Sequence, residues 1–249
     1  MSDNSRRAAA HAAGPVRFDA DHPPAREGTV HFTRTSEAVQ TWVHGWALSR
    51  GAAEPAPSSW GFTVNTGPPA HATSHVLTTA DAATVREITA GTTRPGVRLK
   101  AFVRVESLAS WVAPGWSVAG EPGYLMSAPL HPARVPVLVP DAYRLRAWTR
   151  DGVTYARVCA ADGTLAARGQ AAVTGATAVI DKVETQPAHR RRGLGRLIMR
   201  TLTDAAAGRG ATVGLLASSA EGRALYESTG WAVSAPLANA LRGPDPAHR

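Results

Sequence analysis

Three arginines, two glycines and the start of a helix coincide in His189-Arg190-Arg191-Arg192-Gly193-Leu194-Gly195. Upstream, Ala178-Val179-Ile180-Asp181-Lys182-Val183-Glu184-Thr185 is dense in β-branched residues and is closed by Pro187, which predicts a strand over 177–185. Downstream, Leu194, Leu197, Ile198, Thr201 and Leu202 repeat at the spacing of one helical face. Such a turn is built to hold an anion. The first N–H groups of a helix have no partner within it, glycines let a ligand approach the backbone, and the helix dipole and the arginines add positive charge. A pyrophosphate suits it. Taken alone, the charge run reads equally as a solvated face or a nucleic-acid patch.

Spacing narrows the choice. Arg190, Gly193 and Gly195 form R-x-x-G-x-G, which is neither the G-x-x-x-x-G-K-[ST] of nucleoside triphosphatases nor the G-x-G-x-x-G of dinucleotide folds. Further on, Ala211–Ser218 reads as an apolar strand, and Glu221–Ser228 as a helix, EGRALYES, that stops at Thr229-Gly230 before Trp231-Ala232-Val233. The strand, Pro187 and R-x-x-G-x-G opening a helix resemble the acetyl-CoA-binding motif of the GNAT superfamily of N-acetyltransferases. Leu225, Tyr226, Glu227, Gly230 and Trp231 resemble that superfamily's second signature, A-x-x-L-Y-E-x-x-G-[FW]. The Asn and Ala frequent before the Leu-Tyr pair in the family are Ser219 and Gly222 here. The resemblance spans roughly residues 141–240.

The resemblance implies an α+β fold, a mixed and mostly antiparallel sheet flanked by helices. It implies transfer of an acetyl group from acetyl-CoA to a primary amine of a small molecule by direct attack. Main-chain groups of Val183 and Thr185 would pair with the pantetheine arm. Amides of Arg191, Arg192, Gly193, Leu194 and Gly195 would hold the pyrophosphate, with Arg190, Arg196 and Ser219 at the same site. Tyr226 would protonate the departing thiolate; from residue type alone, a packed aromatic is the competing reading. The base is drawn from Asp181 and Glu184. Strand alternation puts the two on opposite faces, with Asp181 sharing its face with Val179, Val183 and Thr185, surroundings suited to base work. Asp181 would otherwise simply attract the positive amine, and some members of the superfamily use only water as base. A different acyl-CoA or aminoacyl donor, or a non-catalytic acyl-CoA sensor, are the alternatives.

The elements that must position these residues follow from the rest of the chain. Its 249 residues allow one large or two small domains, and 44% apolar content marks it as globular. His131–Pro140, with three prolines, reads as a linker between an N-terminal domain at 27–130 and a catalytic domain at 141–240, with tails at 1–26 and 241–249. In the second domain, strands at Tyr143–Thr149, Thr154–Ala160 and Leu165–Val173 are joined by Asp151-Gly152 and Asp162-Gly163, both hairpin signals. In the first, Ser36 caps a helix bearing Val39, Trp42, Val43 and Trp46. Strands at Trp60–Val64 and Thr73–Thr79 follow around Thr66-Gly67-Pro68-Pro69, then a helix at Asp81–Ala90, a strand at Val97–Val103 and a helix at Glu106–Val112.

That order ends in Gly115-Trp116-x-Val118 and a strand at Tyr124–Met126, which parallels Gly230-Trp231-x-Val233 and its strand. A tandem chain is therefore expected, its first half a degenerate GNAT-like copy with no R-x-x-G-x-G; the alternative is an unrelated cap domain.

Composition excludes several classes. No run of about 18 apolar residues is present and no basic-then-apolar leader opens the chain, so a cytoplasmic protein is expected. The +8 charge comes almost wholly from arginine, only Lys100 and Lys182 being lysine among 27 basic residues, and it is spread along the chain without a nucleic-acid motif. The nine histidines lack cysteine partners and ligand spacing, so no metal is expected. The lone Cys159 forms no intrachain disulfide and is expected to be buried. The partner is a small-molecule amine, without nucleic acid or membrane, and a homodimer is allowed.

Overall fold

The computed structural model describes residues 32, 34–66, 73–132 and 137–244. The tail expected at 1–26, the turn at 67–69 and parts of 131–140 and 241–249 lie outside the described residues. The first half of the chain runs α1 (Thr35–Ser49), β1 (Ala56–Ser58), β2 (Gly61–Asn65), β3 (Thr73–Leu77), α2 (Ala82–Gly91), β4 (Arg98–Ala101), α3 (Val105–Trp111), β5 (Trp116–Val118) and β6 (Gly123–Pro129). The second runs β7 (Tyr143–Arg150), β8 (Val153–Ala160), β9 (Leu165–Thr174), β10 (Thr177–Thr185), a 3-10 turn at Pro187–His189, α4 (Leu194–Gly208), β11 (Val213–Ser219), α5 (Ala220–Glu227) and β12 (Ala232–Arg242).

All of these strands join one 12-stranded mixed sheet, in the order β1-β2-β3-β4-β12-β6-β11-β10-β9-β8-β7, with β5 paired to β12. That order is nearly a palindrome. β2 runs antiparallel to β3 and β3 parallel to β4, as β9 runs antiparallel to β10 and β10 parallel to β11. A helix links each parallel pair, α2 in one half and α4 in the other. Then the halves exchange their last strands: β12 closes on β4 of the first half, and β6 closes on β11 of the second. β6 and β12 pair with each other at the seam. The tandem repeat expected from the Gly-Trp pattern is thus visible as a shared strand order, and both tryptophans are buried, Trp116 at 8% and Trp231 at 4% exposure.

The two helices that matter to the site lie on opposite faces of β10. On one face, Leu194, Ile198, Met199 and Leu202 of α4 pack with Ile180, Ala167 and Met126. On the other, Val39, Trp42, Val43 and Trp46 of α1 pack with Val179 and Leu215. The first helix of the N-terminal half therefore covers the sheet of the C-terminal half. Ser36 is not its cap: Arg34 holds the extended cap conformation, at φ −133° and ψ 144°, so Ser36 already lies within the first turn. Gly45 brings α1 against the strand, because a Cβ there would overlap Val179. Replacing a helical Gly with Ala ordinarily stabilises by about 1 kcal/mol, but overpacking a close helix–sheet contact costs about 1–3 kcal/mol. Gly45→Ala is expected to destabilise the fold, read as a lower urea midpoint with an unchanged slope. A higher midpoint would show that α1 can lift off.

Both Asp-Gly signals fall between strands; Asp151 and Gly152 take φ of 49° and 81°, the pair of left-handed residues that a two-residue hairpin turn requires. Cys159 is a free thiol on β8, half-buried rather than fully enclosed.

Candidate active site

The site begins where two strands part. β10 and β11 pair only from Thr177–Ile180 to Val213–Leu216, although β10 continues to Thr185 and β11 to Ser219. Beyond Ile180 the parallel strands diverge, and the edge of β10 facing β11 makes no further ladder. On its other edge β10 is irregular. The register with β9 shifts between Asp181 and Glu184, so that Lys182 and Val183 together oppose Gly169, and Lys182 sits at φ +51°.

This bulge overturns the alternation read from sequence. Asp181 stays on the α1 face, where it meets Ser49 and Arg50. Val183 turns to the α4 face, lying with Ile198 and Leu202 around Gly169. Asp181 therefore does not share a face with Val183 and Thr185. Glu184 pairs across to Arg168 and Asp181 to Gln170, two positions apart on β9, so the two carboxylates lie on the same face rather than opposite ones. Glu184 makes an exposed ion pair with Arg168 at 2.8 Å and does not line the cavity described below. Thr185 Oγ1 reaches the start of α4, 3.7 Å from where a Gly195 Cβ would stand.

The basic turn is open. After the 3-10 turn, Arg191 takes φ +61° and Gly193 φ +79°. Gly193 is the N-cap of α4, and no side chain caps the helix. A Cβ on Gly193 would meet nothing within 4 Å, so what demands glycine there is the left-handed dihedral. Gly195 is different: its Cβ would stand 2.9 Å from Leu225 Cδ2, so glycine there lets α5 approach α4. The arginines are partly engaged in shaping the turn. Arg190 pairs with Glu221 at 2.9 Å and reaches the Thr185 carbonyl; Arg192 donates to the Tyr143 hydroxyl at 3.0 Å, which also meets His189 Nδ1 at 3.1 Å. Arg191 and Arg196 are exposed, the latter reaching Ser228 Oγ at 3.4 Å, and the Leu194 side chain is buried beneath its amide.

The first half shows what a closed version of this turn looks like. At the equivalent start of α2, Asp81 accepts from the Thr84 N–H at 2.9 Å, and that bond holds its carboxyl below the usual range. The helix end that is open at Gly193 already carries an anion at Asp81. β3 and β4 also stay paired from Ser74–Leu77 to Arg98–Ala101, the full length of β4, so no cleft opens between them.

Tyr226 lies on α5, 8% exposed, with its ring 6.5 Å from Trp231. Its hydroxyl makes no hydrogen bond among the described residues. Burial, with a contribution from the Asp181 charge, pushes its pKa up to about 12, so it carries its proton throughout the neutral range. A Cβ on Gly222 would touch both the Tyr226 ring, at 3.1 Å, and Ser218 Oγ, at 3.3 Å, which places the tyrosine beside the end of β11. Ser219 caps α5 by accepting from the Gly222 N–H.

Ser218, Ser219 and Asp181 open onto a cavity of about 510 Å³ on the α1 face. Its far side comes from Trp42, Trp46 and Arg50 of α1 and Arg98 and Lys100 of β4, all in the first half, and from Asn239 of the exchanged strand β12. Arg50 grips Asp181 through both oxygens, Nε to Oδ2 at 2.7 Å and Nη2 to Oδ1 at 2.9 Å, and Ser49 Oγ adds a third donor at 2.9 Å. Trp42 and Trp46 stack with centroids 5.2 Å apart and form one wall of the cavity. Arg50, Arg98, Lys100 and Asn239 carried no sequence motif. The one available signal was that Lys100 is among only two lysines in the chain. Among the described residues no group of His, Cys, Asp and Glu could hold a metal ion, and no helix is long and apolar enough to cross a membrane.

Known proteins carry the same architecture. A GCN5-related N-acetyltransferase from Kribbella flavida aligns over 86% of this chain and 96% of its own, with 16% identity and a TM-score of 0.57. A GCN5-related N-acetyltransferase-like protein from Streptococcus suis aligns over 83% and 99%, with 12% identity and a TM-score of 0.54. At those identities the likeness is one of fold, and it extends over both halves. No curated protein matches the sequence. Residues 124–231, from β6 through Trp231, match the acetyltransferase (GNAT) family. The open helix start and the parted strands fall within the matched residues: 124–231 form an acetyltransferase (GNAT) family domain, which with the shared fold supports an acyltransferase.

Proposed function

We propose that the enzyme moves an acetyl group from acetyl-CoA to the primary amine of a small molecule by direct attack. The observation that carries this reading is the meeting of two spaces at the parted ends of β10 and β11: the uncapped start of α4 on one face, and the cavity holding Asp181 on the other. GNAT enzymes use acetyl-CoA as cosubstrate. Its pyrophosphate fits the amides of Arg191, Arg192, Gly193, Leu194 and Gly195, with Arg190 and Arg196 adding charge and Ser219 nearby. Its pantetheine arm fits the free edge of β10 at Val183 and Thr185, where a strand partner is missing.

The acceptor enters from the α1 side, and a cavity of about 510 Å³ suits a small molecule. The bound ammonium first gives up a proton to water; the free amine nitrogen then attacks the thioester carbonyl carbon, a C–N bond forms, and the C–S bond breaks. Sulfur leaves as thiolate and takes the proton of Tyr226, which is replaced by the proton the amine sheds. Asp181, with both oxygens already accepting hydrogen bonds, draws the amine in by charge; Glu184, outside the cavity, has no part. An acetyl-CoA thiol-release screen across amine classes tests the reading. Thiol release that requires an amine is expected; a protein that binds acetyl-CoA but releases no thiol with any amine would instead be a sensor.

A further inference from the structure

The cavity holds more positive charge than its own residues neutralise. Five charged side chains line it: Arg50, Arg98, Lys100, Asp181 and Glu121. Arg50 and Asp181 are joined in a bidentate pair, with the carboxylate still lining the cavity, so Arg98 and Lys100 are the cations left without a carboxylate of their own. Glu121 is exposed. Lys100 is half-buried; one N–H goes to Asn239 Oδ1 at 2.8 Å, and its ammonium stands 5.6 Å from the centre of the Trp46 ring. Neither an amide oxygen nor an indole face carries a full negative charge. Among the described residues Arg98 and Lys100 form no ion pair, and the two project from alternate positions of β4 onto the same side. Two cations side by side in a concave site, one partly desolvated, are unfavourable until an anion joins them.

Resting on the acetyl-transfer reading, we infer that the acceptor carries a carboxylate beside its amine, the carboxylate held by Lys100 and Arg98 while the amine faces Asp181. The cavity then offers both charges such a molecule needs, the Asp181 carboxylate for the ammonium and the Lys100 and Arg98 cations for the carboxylate. The stacked indoles of Trp42 and Trp46 bound the hydrocarbon between the two charges. The electrostatics agree: burial, then Arg98, then Arg50 bring the Lys100 pKa down to about 8, partly opposed by Asp181, which is the signature of a cation short of a counter-charge.

The test compares amino acids with their amides and with the matching amines lacking the carboxyl group, using wild-type enzyme and Lys100→Gln. In wild type the carboxylate-bearing amines are expected to be acetylated with kcat/KM about 10- to 100-fold above the neutral ones, the range of a charge-assisted hydrogen bond. Lys100→Gln is expected to erase that preference through KM, leaving KM for acetyl-CoA unchanged. Equal rates for anionic and neutral amines would overturn the inference while leaving acetyl transfer standing. In parallel, the same acids without the amine are titrated calorimetrically. Binding that is lost in Lys100→Gln, with no turnover of any amine, would keep the anion site and remove the transferase reading. No binding of any carboxylate removes the anion site.

Discussion

Tyr226→Phe is expected to lower kcat about a hundredfold with no change in affinity for acetyl-CoA. General-acid catalysis contributes roughly 10²–10⁴-fold, and the low end applies because a thiolate is a stable leaving group. A thiol pKa of about 8.5 lies below the value of about 12 to which burial and the Asp181 charge push Tyr226, so the proton moves late. The substitution isolates chemistry from folding. It removes a hydroxyl with no hydrogen-bond partner among the described residues and leaves the ring against Trp231. Steady-state kinetics, with thermal unfolding as control, measure it; an unchanged kcat at an unchanged melting temperature would take Tyr226 out of the mechanism.

Gly195→Val is expected to reduce acetyl-CoA affinity more than a hundredfold, taking micromolar binding, about −8 kcal/mol, toward the detection limit of calorimetry. The first carbon of the new side chain would stand 2.9 Å from Leu225 Cδ2 and 3.7 Å from Thr185 Oγ1. The valine methyls would reach further, wedging α5 from α4 and turning the first amides of α4 out of line. Because Leu225 is the main obstacle, Leu225→Ala in the same chain is expected to restore part of the affinity. Retained micromolar binding in the single variant would refute the cradle. Gly193→Val probes the same turn by another route, since nothing crowds that position and only its φ of +79° resists a side chain.

The parts of this site that were legible in the sequence are the local ones. The β-branched run, Pro187 and the glycine pair state the strand, turn and helix of 177–208 within one stretch of chain, and Asp151-Gly152 states its own hairpin. What was not legible depends on distant pairing. The bulge at Lys182 and Val183 arises from the register with Gly169, and no property of the β10 residues themselves announces it. It moved Val183 off the face of Asp181 and brought Glu184 onto it. The prolines of 131–140 do fall between β6 and β7, yet sheet hydrogen bonding runs across them through the exchanged strands. Lys100 and Arg98 sit in a four-residue strand whose only sequence signature is alternation. Their chemistry exists only because β4 is carried to the seam, opposite a helix that belongs to the sheet of the other half.

The exchange of β6 and β12 also dictates when this protein can finish folding. The edge of β4 has no permanent neighbour until residues 238–241 have left the ribosome, an interval of roughly ten to thirty seconds at ordinary elongation rates. Throughout it the nascent first half exposes an unsatisfied strand edge, a liability in a crowded cell. Maturation of the first half therefore waits on translation of β12, and a ribosome stalled before it would release a chain whose second half is already closed by β6 while β4 still lacks its neighbour.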